Sequence, residues 1–216
     1  MTNKIEILSE LITKRLKQSL PGFEYQQKMS PEHRTLSTDN KAVKKAAVLI
    51  LLFPLNKVIQ LALIKRTLYN GPHSGQISLP GGMFDVKDMN LTNTALRETM
   101  EEIGIHQKDI NLIGNLSSLY IPVSNFEVMP FVGYLKFTPT FMIDKKEVQK
   151  MIIVPLSHFI DKRNNSVEYH EFENQRYKIP FFNYKDDKIW GATAMILSEF
   201  LRIIEELEPD LNFPQY

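Results

Sequence analysis

Cysteine is absent from the 216-residue chain, which excludes disulfides, thiolate metal sites and a cysteine nucleophile. A surplus of either charge is also missing: 26 basic residues face 25 acidic ones. Proteins that bind nucleic acid carry a basic excess, so nucleic acid is not an expected partner, although a local basic pocket for phosphates remains compatible. No long apolar run occurs. The longest, Ala46–Pro54 (AAVLILLFP), is too short to cross a bilayer and reads as a buried strand, so no membrane partner is expected. The first twenty residues lack the unbroken apolar stretch of a secretory signal, and the final NFPQY is not a peroxisomal address. A cytoplasmic protein is the expectation. Repeats and low-complexity segments are absent too.

What is present suits a globular domain. The chain is 43% apolar and 24% charged, close to the average for chains that build a sizeable core. Ile5, Leu8, Leu11, Ile12 and Leu16 recur at helical spacing, which predicts an amphipathic helix over 3–18. Residues 20–43 read as an irregular connection containing Pro21 and Pro31. Strands are expected at 45–53 and 58–65, joined by a turn at Leu55-Asn56-Lys57, and then at 111–121, 128–137 and 148–154. A shorter pair is expected at 166–170 and 175–181. Helices are expected over 92–102, with Asn90 or Thr92 as cap and Gly104 at the end, and over 190–206. The pattern predicts an α+β fold, a mixed sheet between helices in an α/β/α sandwich. Between the second strand and the second helix, residues 67–90 hold Gly71, Pro72, Gly75, Pro80, Gly81 and Gly82. Long glycine-punctuated loops inside a compact domain are more often functional than accidental.

The segment Arg97-Glu98-Thr99-Met100-Glu101-Glu102-Ile103-Gly104-Ile105 carries the chemistry. At about 100° per residue, Leu96, Thr99, Met100 and Ile103 share one helix face and Arg97, Glu98, Glu101 and Glu102 the other. Like charges three and four residues apart destabilise a helix by roughly 0.2–0.5 kcal/mol per pair. Anions near a helix C-terminus are disfavoured as well. Taken alone, such a cluster describes a solvated face. Crowded carboxylates beside an arginine equally suit a hard divalent cation held by a few carboxylates, water and substrate phosphate.

Gly81-Gly82, a short loop, and a helix carrying Arg-Glu-X-X-Glu-Glu-X-Gly-Ile together resemble the box of the Nudix family. The helical half matches except for Thr99 at an aliphatic position. The first half departs: five residues after Gly82 comes Asp88 rather than glutamate, and the stretch from Asp88 to Arg97 is one residue longer than the pattern. Leu63-Ile64-Lys65-Arg66-Thr67, His73-Ser74-Gly75-Gln76-Ile77-Ser78-Leu79-Pro80-Gly81-Gly82, Thr94-Ala95-Leu96-Arg97-Glu98 and Ile189-Trp190-Gly191-Ala192-Thr193-Ala194 extend the resemblance to the coenzyme A pyrophosphatase branch. Gly71 stands where that branch has a second arginine.

The resemblance implies a Nudix hydrolase domain at 45–208, an N-terminal helix and connection at 1–44 packed on it, and a tail at 209–216. It implies a metal-dependent hydrolase that uses Mg²⁺ or Mn²⁺ to cleave a nucleotide pyrophosphate. Coenzyme A is the leading substrate, yielding 4′-phosphopantetheine and adenosine 3′,5′-bisphosphate. The alternatives are a broader enzyme for ADP-ribose or NADH and a binding protein without catalysis. The last is disfavoured by the presence of all three box glutamates. Glu98 and Glu102 are the implied main metal ligands, with Glu101 completing the shell or acting through water, and a carbonyl near Gly81 or Gly82 adding another. Arg97 would orient these carboxylates through charge-assisted hydrogen bonds. Glu147 is the candidate base or extra ligand from a later loop, with Glu127 its alternative. Arg66, His73 and Gln76 are candidate substrate contacts, and Trp190 reads as a core anchor rather than a stacking platform. The expected partner is a small nucleotide of the coenzyme A type, and a homodimer is a compatible assembly.

Overall fold

A computed structural model describes residues 4–32, 42–172 and 175–211. Helix α1 spans Lys4–Leu16 and α2 Gly22–Gln27, inside the connection expected to be irregular. The long hairpin β1 (Lys44–Leu55) and β2 (Val58–Arg66) follows. It turns at Asn56 and Lys57, both with positive φ (50° and 65°), the geometry whose twist matches a two-residue hairpin. The glycine-rich stretch contains β3 (Ile77–Ser78) and β4 (Gly81–Met83) and leads to α3 (Leu91–Ile103). Beyond it lie β5 (Asn111–Asn115), β6 (Leu119–Ile121), β7 (Phe126–Tyr134), β8 (Val148–Pro155) and a short α4 (Leu156–Ile160). The chain continues with β9 (Asn165–Phe172), β10 (Gln175–Tyr184), β11 (Asp187–Trp190) and α5 (Gly191–Leu211). The tail expected from 209 thus begins inside α5, and 212–216 lie outside the described residues.

The main sheet runs β3-β2-β1-β7-β5, with β4 on β1, β6 on β7 and β8 on β2. β1 pairs antiparallel with β2 and parallel with β7, so the sheet is mixed. Both faces of β1 are covered, which explains its nearly continuous apolar sequence. Ala47, Leu49, Leu51 and Phe53 meet Ala95, Leu96 and Ile103 of α3 on one face. Ala46, Ile50 and Leu52 share the other with Ile5, Leu8 and Ile12 of α1 and Phe200 and Ile203 of α5. The result is an α+β sandwich in which, among the described residues, α3 is the helix that covers one face. A second sheet, β11-β10-β9, stands beside it. Asp187 of β11 pairs with Lys65 and Lys150 of the main sheet, and Thr193 Oγ1 donates to the Ile77 carbonyl.

α2 is held by a buried acid. Glu199 of α5 is fully buried and accepts from the Gly22 and Ser117 amides and from Gln26 Nε2, at 2.8–3.2 Å. Three donors fill most of the roughly four acceptor sites that a carboxylate offers. Expected strand 111–121 is broken at the same place, because the Ser117 amide faces Glu199 instead of a neighbouring strand.

Candidate active site

Gly81 and Gly82 bring the sheet against α3. Gly81 has φ +148°, and a Cβ there would lie 2.3 Å from the Ala47 carbonyl oxygen. A Cβ on Gly82 would lie 2.5 Å from the Glu98 carboxyl carbon, so only glycine lets the backbone and this carboxylate approach so closely. The Gly81 amide donates to Glu102 Oε2 at 2.8 Å. α3 is capped at its start by the Asn90 side chain and closed by Gly104 in the left-handed conformation. Glu102, on the charged face of the helix and implied as a main metal ligand, is buried at 1% exposure beneath β4.

Glu147 reaches the same point from the loop before β8. Asp144 receives a hydrogen bond from its amide and from that of Val148, while the Asp144 amide donates to the Glu102 carbonyl at 3.0 Å. Thr67 bonds the same loop twice, through its amide to Glu147 O and through its hydroxyl to Lys146 O. One carboxylate oxygen from each of Glu98, Glu102 and Glu147 consequently lies within 4.8 Å of the other two. Glu101 is not among them: its exposed carboxylate accepts from Arg97 Nη1 at 2.8 Å. Glu127 is elsewhere, accepting from Ser118 Oγ. It borders a cavity of about 650 Å³ between α2 and β6, among whose lining residues none of the three clustered glutamates appears.

The electrostatics follow from crowding and burial. Burial pushes Glu102 up to about 8; the Gly81 amide and Arg66 oppose this, and Glu98 and Glu147 reinforce it. Burial also raises Glu98, against the pull of Arg97. Three carboxylates, with Arg66 beside Glu102 and Arg97 beside Glu98, offer the oxygen donors that a hard divalent ion takes. The residues therefore fit such an ion: Glu98, Glu102 and Glu147 would hold it, with the close-lying Gly82 backbone available beside them.

Arg97 is fixed by an acid of its own. Asp88 receives Arg97 Nε at 2.7 Å and Nη2 at 3.0 Å, together with Thr94 Oγ1 and the Asp85 amide. Arg97 holds the Asp88 carboxyl well below the usual carboxylate range, and Asp88 in turn raises Arg97. The same guanidinium contacts Glu98 and Glu101 and donates to the Met83 carbonyl. Despite the longer stretch between it and Arg97, Asp88 thus joins the loop to the helix. Its partner Thr94 stands in the run Thr94-Ala95-Leu96-Arg97-Glu98 that carries the resemblance, but the sequence reading gave it no role.

The remaining substrate-contact candidates lie at the end of β2 and along the loop after it. Arg66 Nη1 is 3.6 Å from Glu102 Oε1. His73, with φ 67°, contacts Gln76 Oε1 through Nδ1 and Ser124 Oγ through Nε2, so these two candidates are joined to each other and to the turn after β6. Trp190 is half-buried at the end of β11, paired with Phe181, and the fully buried neighbour is Ile189.

The NUDIX domain family model matches residues 43–178, more than half of the chain. Nudix hydrolase 3 of Caenorhabditis elegans is 28% identical over 83% of this chain and 80% of its own length. The human mitochondrial coenzyme A diphosphatase NUDT8 is 30% identical over 72% of this chain and 69% of its own. Among solved structures, a MutT/nudix family protein from Enterococcus faecalis aligns over 96% of this chain and 77% of its own, with a TM-score of 0.53 and 17% identity, a likeness of fold. The chain belongs to the Nudix hydrolases, pyrophosphohydrolases of nucleoside-diphosphate derivatives that generally use divalent metal ions. Among the described residues no helix is long and apolar enough to cross a membrane, and some relatives carry mitochondrial or chloroplastic names.

Proposed function

We propose that this chain hydrolyses the pyrophosphate bond of coenzyme A or an acyl derivative, releasing 4′-phosphopantetheine and adenosine 3′,5′-bisphosphate, with Mg²⁺ or Mn²⁺ as cofactor. The observation that carries the hydrolytic part is the gathering of Glu98, Glu102 and Glu147 from two separate segments. A divalent cation bound there supplies charge neutralisation on the pyrophosphate oxygens and a lowered pKa for attacking water. Arg97, anchored by Asp88, keeps Glu98 in place, and Glu101 acts through Arg97. Glu147, on a loop rather than the helix, is the candidate to receive the water's proton. Arg66 is placed to meet a substrate phosphate beside Glu102, with His73 and Gln76 shaping the loop around it. The coenzyme A assignment rests on the loop resemblance and on the relative named a coenzyme A diphosphatase.

Gly71, in place of the branch's second arginine, favours a second reading, a broader pyrophosphatase for ADP-ribose or NADH. A Cβ at Gly71 would lie 3.0 Å from the exposed Tyr69 ring, so an arginine there requires that ring to shift by a few tenths of an ångström. Turnover of coenzyme A, NADH and ADP-ribose with Mg²⁺, Mn²⁺ or EDTA separates the readings. Coenzyme A is expected to be cleaved best, all activity to vanish in EDTA, and Gly71→Arg to keep or improve turnover. A tenfold or greater preference for ADP-ribose or NADH rejects the coenzyme A assignment.

A further inference from the structure

Two polar atoms near the carboxylates are buried and have no hydrogen-bond partner among the described residues: Arg66 Nε and Ser78 Oγ. Such atoms are rare in folded proteins, and each calls for a partner. Their placement shows that they can serve one another. β2 and β3 pair antiparallel with Ile64 opposite Ser78, and the Arg66 amide donates to the Gln76 carbonyl, which puts Ser78 diagonally across from Arg66. Alternation sets the faces. Ile77 and Leu79 pack into the core shared with α5, so Ser78 turns to the α3 face. Ile64 packs under α3, and Arg66, two residues on, reaches Glu102 on that face. Diagonal cross-strand neighbours are about 7–8 Å apart, a gap that long side chains span.

The chemistry is complementary as well. Arg66 Nε–H only donates, and a serine hydroxyl can accept. The contact of Arg66 with Glu102 is an ion pair at 3.6 Å, too long to fix the guanidinium plane by a hydrogen bond. We propose that Ser78 is a positioning residue: its hydroxyl accepts the Arg66 Nε–H in the substrate-bound protein and aims the two Nη groups at a substrate phosphate. A guanidinium recognises phosphate through a planar fork, so an acceptor behind Nε sets the direction of that fork. The inference rests on the reading of Arg66 as the phosphate-binding residue.

The test is a double-mutant cycle of Ser78→Ala and Arg66→Lys in the full chain. Its readouts are kcat and KM for coenzyme A, the calorimetric affinity for inorganic pyrophosphate, and the melting temperature. Arg66→Lys removes the fork and keeps the charge, and it is expected to raise KM and weaken pyrophosphate binding. Ser78→Ala is expected to raise KM and weaken pyrophosphate binding by about tenfold, the scale of one hydrogen bond to a charged group. It should leave kcat within about twofold, by the logic of ground-state contacts. Its melting temperature should not fall, because the hydroxyl has no partner to lose. In the Arg66→Lys background, Ser78→Ala should change nothing further. If Arg66→Lys weakens binding while Ser78→Ala does not, or if the two effects simply add, the role of Ser78 is refuted and that of Arg66 stands. A marked drop in the melting temperature of Ser78→Ala would show a structural hydroxyl and refute it too. Unchanged binding in Arg66→Lys removes the reading of Arg66 and this inference together.

Discussion

Glu199 and Glu102 are both withdrawn from solvent, at 0% and 1% exposure, and their surroundings differ in kind. Glu199 is met by three N–H donors from α2 and the Ser117 turn. Glu102 has one backbone donor and a loose arginine, and it faces two more carboxylates across 4.8 Å or less. A buried acid surrounded by donors joins segments together. A buried acid crowded by its like raises the free energy of the metal-free fold, and a cation relieves that cost. The contrast separates structure from chemistry among residues of one type.

The contrast breaks most readily at Glu102. Glu102→Gln keeps the shape and removes a charge and an oxygen ligand. Metal stabilisation of a transition state is worth several kcal/mol, and each ~1.4 kcal/mol is about tenfold in rate. Pyrophosphatase assays should therefore show a loss on the order of a hundredfold or more. Glu199→Leu should do the reverse, sparing turnover per folded molecule while stranding the Gly22 and Ser117 amides. At about 1–3 kcal/mol for each of the two stranded amides, denaturant unfolding should show a loss of roughly 2–6 kcal/mol. Substantial inactivation of folded Glu199→Leu would collapse the distinction.

A finer division lies within the box. Glu101 is bonded to Arg97 and stands apart from the cluster. Glu101→Gln should cost at least tenfold less activity than Glu102→Gln in the same assay, and equal losses would place Glu101 on the metal.

A pH series sharpens the comparison further. Glu102, ordinarily near 4.5, is pushed up to about 8 in the fold. Between those values the metal-free folded state holds a proton that the unfolded chain has released, so stability falls as pH rises through this window. The raised Glu98 adds in the same sense. Asp88 acts oppositely: its contribution is present at neutral pH and is lost as pH falls below the usual carboxylate range. Stability against unfolding in EDTA should thus fall from acidic pH toward pH 8, with a flatter profile for Glu102→Gln. An unchanged slope in that variant would assign the effect to other groups.

Much of this was legible in the residues. β1 declared itself by an apolar run that suits burial on both faces, and α3 by its cap, its glycine end and its box. What escaped depends on contacts between distant segments. α2 spans only Gly22–Gln27, too short for periodicity, and is held by an acid 177 residues away. Glu147 itself is the candidate that the sequence offers from a later loop, but its path to the cluster depends on Asp144 closing onto the end of α3, which no local pattern encodes. β7 ends at Tyr134 rather than at 137, its last bond to β1 running from the Leu135 amide to the Leu52 carbonyl. Glu199 did leave a trace, lying four residues from the buried Met195 and Ile203 on the apolar face of α5.

The carboxylate cluster as a cation site is tested most directly by metal-linked stability. Melting temperatures of wild type and Glu102→Gln would be recorded in EDTA and again with excess Mg²⁺ or Mn²⁺, without substrate. Binding to the folded state alone raises stability with the logarithm of metal concentration over its dissociation constant. Wild type should gain several degrees and Glu102→Gln markedly less, while in EDTA the variant should melt no lower than wild type. Equal gains in both proteins, or a variant that melts far below wild type in EDTA, would contradict the account.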